Sequence, residues 1–283
     1  MIATSPPGDL APDTDLLVRP VYLAGRGDTA AVYDALCDAR GWGKATTATG
    51  LMFTSPRQDA QVAYLPESQY GGWKATQCRE PLGSPLWWAS FSRNTPAEIT
   101  SAFTTALAEG LPSNHRDSLH AGPHHLPSSP AEALADRGWQ TDDTAMYLYQ
   151  RSPDGHAYFG LRKGHLDDYM ELEGEGPAQW TMYGCVDHVN GERWHADFTS
   201  ATPLYLVREA VLAFSSTEPV ERPLSGIPAR NLPYVTVTPV SAGADPRRSA
   251  ALARTPNTSQ AGATPPVASA AAGLPAPGPS RRR

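Results

Sequence analysis

The chain repeats itself, and the spacing of the repeat limits what it can fold into more than any other feature does. Gly41-Trp42 returns as Gly138-Trp139 and Ser55-Pro56 as Ser152-Pro153, each 97 residues later. Trp73, Cys78, Trp87, Phe91 and Thr95-Pro96 return as Trp180, Cys185, Trp194, Phe198 and Thr202-Pro203, each 107 residues later. Two constant offsets with one step between them mean a duplicated unit with about ten residues inserted in the second copy. The step falls between Pro56 and Trp73, and between Pro153 and Trp180. A position kept in both copies serves the shared fold. A position that differs is free to serve function.

The repeat organises the 283 residues. Residues 1–16 are rich in Pro, Asp and Ser and are expected to be disordered. They hold no basic start and no apolar stretch, so no signal peptide is expected there. The first copy spans 17–110, a linker 111–128 and the second copy 129–217. A partly ordered extension covers 218–240. Residues 241–283 form a Pro/Ala/Arg tail that cannot bury enough apolar surface to order itself.

Within the first copy, 17–24 reads as an edge strand because Pro20 cannot donate to a ladder. Residues 28–40 read as a helix ended by Gly41. Four strands follow at 51–54, 61–65, 72–78 and 86–92, joined by short turns, which favours an antiparallel meander. Thr95-Pro96-Ala97-Glu98 then reads as a capped helix start. Ile99, Phe103 and Leu107 follow at helical spacing. The second copy repeats the order, with Ser129-Pro130-Ala131-Glu132 as another capping box. The expected fold class is therefore α+β: a helix, a four-stranded antiparallel sheet and a helix, written twice. Residues 233–240 read as an extra strand.

Six of the seven tryptophans come in matched pairs and are expected in the core or as half-buried covers. Trp88 is the exception, because its counterpart is His195. Alternation turns both away from the Trp87/Phe91 face. Lys74 and Ser90 share that outer face in the first copy, and Thr181 and Asp197 share it in the second. If the sheets stack, Trp88 lies in the seam between them, the arrangement we expect. Trp88, Lys74, His195 and Asp197 are the candidate binding residues.

Other chemistry is sparse. His115, His120, His124 and His125 lie in a Pro- and Gly-bearing linker, and Cys185, His188 and His195 flank a turn. Neither set has the fixed scaffold a metal needs, so no metal and no cofactor are expected. The sequence contains no nucleophile elbow, Walker loop or dinucleotide-binding glycine pattern. No catalytic residue is therefore assigned. The insertion, 165–175, carries Asp167, Asp168, Glu171, Glu173 and Glu175 and reads as a solvated hairpin tip. Three cysteines without a dense pattern point to free thiols and a cytoplasmic location.

Net charge is −6, but residues 241–283 carry six arginines and one acid, or +5. Subtracting the tail leaves −11 for residues 1–240. An acidic body disfavours a phosphate-tracking surface.

The succession Tyr22-Leu23-Ala24-Gly25, Gly41-Trp42, Thr54-Ser55-Pro56, Gly72-Trp73-Lys74, Trp88-Ala89-Ser90-Phe91 and Thr95-Pro96-Ala97-Glu98-Ile99 resembles the SPDY domain, an actinobacterial domain of unknown function often found in tandem. Arg151-Ser152-Pro153-Asp154-Gly155 carries the family's Ser-Pro-Asp motif in the second copy. Copy one has Ser55-Pro56-Arg57. The motif is also a turn signal. The resemblance implies a fold unit and a bacterial host type, and it implies no activity.

We therefore expect a non-enzymatic binding or regulatory protein with a protein partner and no membrane association. The alternative is single-stranded nucleic-acid binding on a sheet face, by similarity of element order to the PUR and Whirly proteins. A metal-dependent hydrolase comes third.

Overall fold

A strand that alternates buried and half-buried residues belongs to a sheet with one face covered. In a computed structural model this pattern marks the strands at the middle of the body. The structure describes residues 10–240 except 40, 68–70, 82, 114–127, 165–166 and 188–192. Residues up to Val240 form one unit and Ser241–Arg283 a second. The expected tail, most of the linker and the first nine residues lie outside the described residues.

β1 (Asp15–Arg19) opens the described chain and belongs to a small separate sheet. The first copy then supplies β2 (Gly43–Thr47), β3 (Gly50–Thr54), β4 (Ala60–Leu65), β5 (Gly72–Cys78) and β6 (Pro85–Ser92). The second supplies β7 (Gln140–Asp143), β8 (Tyr147–Arg151), β9 (Ala157–Arg162), β10 (Trp180–Gly184) and β11 (Trp194–Phe198). All ten join in one antiparallel sheet, ordered β2-β3-β4-β5-β6-β11-β10-β9-β8-β7.

The α+β expectation of two helix/four-strand/helix units is therefore overturned. The chain is mostly β, with five helices among the described residues: α1 (Ala30–Asp38), α2 (Ala97–Ser113), α3 (Pro130–Ala135), α4 (Asp168–Glu173) and α5 (Leu204–Phe214). Each copy has five strands rather than four. β2 and β7 escaped notice because every residue in them is exposed, so they carry no apolar alternation. Backbone pairing to β3 and β8, with a few polar side-chain contacts such as Thr141 with Gln150, holds them at the two ends of the sheet. The copies also join edge to edge through β6 and β11, not face to face. Pairing satisfies two rows of backbone groups that stacking would have left bare.

One face of the sheet is the core. Phe53, Val62, Trp73, Trp87 and Phe91 in the first copy, and Phe159, Trp180, Met182, Trp194 and Phe198 in the second, are buried under the helices. Ile99, Phe103 and Leu107 of α2 meet Leu206, Val207, Val211 and Phe214 of α5 in the same cluster. Phe103 lies 5.2 Å from Phe91 and 5.7 Å from Phe198, ring centre to ring centre, and so packs against both copies. Trp42 is half-buried and Trp139 buried, as the duplication predicted for the paired tryptophans.

β1 is the centre of the small sheet, not an edge. It pairs with β12 (Val220–Pro223) on one side and β13 (Thr236–Pro239) on the other. Pro20 falls just past the strand, so it removes no ladder bond. The buried Arg222 of β12 donates to both carboxylate oxygens of Glu98, at 2.9 and 2.6 Å, and ties this sheet to α2. Glu98 thus turns to Arg222 instead of reaching back to the cap expected of it. The box at Ser129/Glu132 forms as predicted.

The Ser-Pro-Asp motif is structural. Ser152 Oγ donates to Asp154 at 2.5 Å and accepts from the backbone of Ala157 at 2.9 Å. In the first copy Ser55 Oγ accepts from Ala60 at 3.0 Å and donates to Asp59 at 2.9 Å. A carboxylate two residues further along replaces the missing motif acid, which frees position 57 to be arginine. Among the described residues no helix is long and apolar enough to cross a membrane.

Candidate ligand-binding face

The other face of the ten-stranded sheet carries no large helix. One row of outward-facing residues crosses all ten strands: Ala45, Met52, Ala63, Lys74, Ser90, Asp197, Thr181, Gly160, Tyr149 and Asp142. Lys74 and Asp197 stand in this row, two strands apart. Trp88 lies on one side of it along β6, and His195 on the opposite side along β11. The four candidate residues line one cavity of about 500 Å³. The sequence placed them on one face, and the edge-to-edge join places them together.

Their chemistry is mutual. Lys74 Nζ sits 5.3 Å from the Trp88 ring centre, within cation–π range. Partial burial lowers the pKa of its amine. Asp197 accepts from the Thr181 hydroxyl at 2.8 Å, and His195 Nε2 stands 3.9 Å from its other oxygen. Burial raises the Asp197 carboxyl pKa, against the lowering pull of Thr181 and His195.

Trp88 lies in no seam between stacked sheets. The insertion folds back over it. Asp167 caps α4, accepting from the amides of Tyr169 and Met170. The carboxylate of Glu171 turns inward, is only 2% exposed, and accepts from Gln179 N, Ser200 N and Ser200 Oγ. The Trp88 indole then donates to the carbonyls of Glu171 and Leu172, both at 3.1 Å. The expected solvated hairpin tip is a docked helix, because one of its five acids finds three donors on the sheet.

The chain returning from α4, Pro177 to Gln179, walls a second cavity of about 570 Å³. Pro177, Ala178 and Thr181 line both cavities, which therefore adjoin. The second is built from residues the sequence reading passed over. Tyr147 stacks on Tyr149 along β8, centres 5.2 Å apart, and Tyr158 stacks on Tyr183 across β9 and β10 at 4.9 Å. Arg151 and Arg162 join them. Gly160 forms the floor, where a side chain would press on the Tyr149 ring: an added Cβ would meet Tyr149 Cε1 at 3.1 Å. Burial first, then the neighbouring phenols, pushes the Tyr183 pKa up to about 12. Burial likewise raises that of Tyr149. The signal in the sequence was the period-two Tyr147/Tyr149 pair, overshadowed by the tryptophans.

Among the described residues no three His, Cys, Asp or Glu side chains come together as a metal set. His115, His120, His124, His125 and His188 lie outside the described residues. Cys78 and Cys185 are buried and Cys37 is exposed, and none of them forms a disulfide.

A continuous sheet made of two like halves, bare on one face, defines a tandem-repeat protein. Residues 54–112 and 151–220 match the model of the SPDY family, a domain of unknown function (DUF317), so the chain is a tandem SPDY-domain protein. No curated protein and no solved structure matches it.

Proposed function

We propose that this is a non-enzymatic binding protein whose ligand occupies the outer sheet face of the second copy, beside the wall built by the insertion. One observation carries this reading: the second copy alone has an insertion, and aromatic and cationic side chains that the first copy lacks gather beside it. The strand register keeps the 97-residue offset through β4 and β9, so Met52↔Ala63 and Tyr149↔Gly160 are the same pair in the two copies. The insertion therefore starts after β9, and it walls both cavities. In the first copy, Gly50, Met52, Gln61 and Thr76 stand where the second has Tyr147, Tyr149, Tyr158 and Tyr183. Thr54 and Leu65 stand in place of Arg151 and Arg162. The fold manages without the phenols and the guanidiniums in one copy, so it does not require them in the other.

The cavity sizes fall in the range of small-molecule sites, roughly 300–1,000 Å³. Large exposed apolar side chains, by contrast, are few among the described residues: Met146, Tyr169, Met170 and Tyr234. That favours a small ligand over the broad protein partner expected from sequence. Cysteines that form no disulfide among the described residues are in keeping with a reducing compartment such as the cytoplasm.

The test is a saturation-transfer NMR screen of small polar aromatic compounds on the full chain and on a Tyr149→Met/Tyr183→Thr variant, which carries the first copy's residues. Compounds that bind the parent and lose their signal with the variant support the reading. No binders, or binders indifferent to the variant, overturn it. Single-stranded nucleic acid is the second reading, favoured by tyrosines on an uncovered sheet face and opposed by the −11 body.

A further inference from the structure

We propose that the tyrosine-walled cavity of the second copy takes a nucleotide-like small ligand, its flat ring among the phenols and its phosphate on Arg162. The inference rests on the outer-face reading and names the ligand class for it.

Three features select that class. The first is rigid aromatic surface. Two stacked pairs of tyrosines, each fixed by its partner ring, present flat amphipathic walls at little entropic cost on binding. Gly160 has no side chain, which lets the Tyr149 ring lie close against the sheet there, with Thr181 on its other side in the same row. A planar ring can stack on the faces the phenols present. A branched aliphatic group would leave the ring faces poorly covered.

The second is charge. Arg162 is half-buried in the cavity, and no described carboxylate pairs with it. A guanidinium held among phenols with its fork unsatisfied is suited to a bidentate oxyanion, phosphate above all. Arg151 stands two outward-facing rows from Arg162, opposite Tyr158, donating to Gln140 Oε1 at 2.6 Å, and adds to the positive potential. Asp142, at the β7 edge, is the one carboxylate lining the cavity among the described residues, and it disfavours a ligand of higher negative charge spread across the whole site.

The third is the rim. Gln140 and Gln179 bring amide side chains to the cavity mouth. Amides can meet a ring whose edge carries both donors and acceptors, as a nucleobase does. A volume of about 570 Å³ holds a ring, a sugar and one phosphate together, and is roomy for a simple aromatic acid. The acidic body argues against a long strand, whose successive phosphates would each need a cation.

The experiment is a calorimetric titration of the full chain with AMP, adenosine and inorganic phosphate in parallel, and with a twelve-residue thymidine oligonucleotide as a fourth arm. The expected result is AMP binding at least tenfold tighter than adenosine or phosphate. Arg162→Leu, the first copy's own residue at this position, should bring AMP down to the adenosine level without moving the thermal midpoint. Gly160→Val, which pushes the Tyr149 ring off its place in the cavity, should abolish binding of both AMP and adenosine. AMP no tighter than adenosine, or AMP binding untouched by Arg162→Leu, overturns the proposal. So does salt-sensitive oligonucleotide binding with AMP ignored, which moves the face to nucleic acid. If AMP fails while the aromatic screen still finds ligands sensitive to Tyr149→Met/Tyr183→Thr, the ligand class falls and the binding face stands.

Discussion

Ser90 and Asp197 hold the same position in the two copies, and they pair directly with each other across the join between β6 and β11. Their neighbours pair crosswise, Ala89 with Phe198 and Phe91 with Ala196. A local two-fold axis therefore passes between Ser90 and Asp197. The hydrogen bonds obey it. His195 N donates to Ser92 Oγ at 2.9 Å, and its counterpart Trp88 N donates to Thr199 Oγ1 at 3.0 Å. Thr95 Oγ1 donates to the His195 carbonyl at 3.1 Å, and Thr202 Oγ1 to the Trp88 carbonyl at 3.3 Å. The join has the form of a two-fold dimer interface made within one chain.

This symmetry explains why Thr-Pro is kept in both copies, and it can be tested. Thr95→Val and Thr202→Val each remove one hydroxyl that reaches the sister copy. Each is expected to cost about 1 kcal/mol, and the two losses should be similar in urea unfolding. A cost confined to one of the two would show that the join is not two-fold in energy.

Glu171 is the latch of the insertion. Glu171→Ala removes three hydrogen-bond acceptances from Gln179 and Ser200 and leaves donors unpaired, a loss of roughly 2–3 kcal/mol. With α4 released, Trp88 should lose its cover. Its fluorescence should shift to the red, and the amides of 168–173 should exchange faster. An unchanged emission spectrum would mean that α4 is held by other contacts.

Asp197 makes stability depend on pH in a defined direction. Burial holds its folded pKa above the ordinary carboxylate value. The unfolded chain therefore ionises first, and the folded state loses stability as pH rises through the folded pKa. Below the unfolded pKa both states are neutral and the penalty is gone. Asp197→Asn keeps an acceptor for Thr181 and removes the titration. The variant should gain on the parent at pH 7 relative to pH 3 in urea midpoints. A relative loss at pH 7 would show that the His195 pairing outweighs burial.

Ser152 and Ser55 should be equally costly to replace. Ser152→Ala strips acceptances from the His156 and Ala157 amides, and Ser55→Ala strips that from Ala60. Both serines are buried, so each substitution should cost roughly 1–3 kcal/mol, seen as a lower thermal midpoint. A neutral Ser152→Ala would remove the structural role assigned to the Ser-Pro-Asp turn.

Much of the molecule was legible before any coordinate. The duplication, the buried faces of β5, β6, β10 and β11, the helix faces of α2 and the family resemblance all follow from spacing, because strand and helix periods act locally. Trp88, Lys74, His195 and Asp197 were placed on the outer face by alternation alone. Tyr158, Tyr183, Arg151 and Arg162 were not gathered with them, since their closeness depends on cross-strand register between segments far apart in the chain. The exposed strands β2 and β7 left no mark in hydropathy, because none of their residues is buried.

The amino-acid sequence by itself determined the unit: which residues face the core, the capped start of the helix after the linker, and that the unit occurs twice. Tertiary structure decided how the halves meet. A bare sheet face and a bare sheet edge look alike in sequence, but an unpaired edge leaves a row of backbone donors and acceptors unsatisfied, whereas a polar face can stay in water. The edges therefore closed on each other. The faces stayed open, and the insertion of the second copy had a surface on which to build a site.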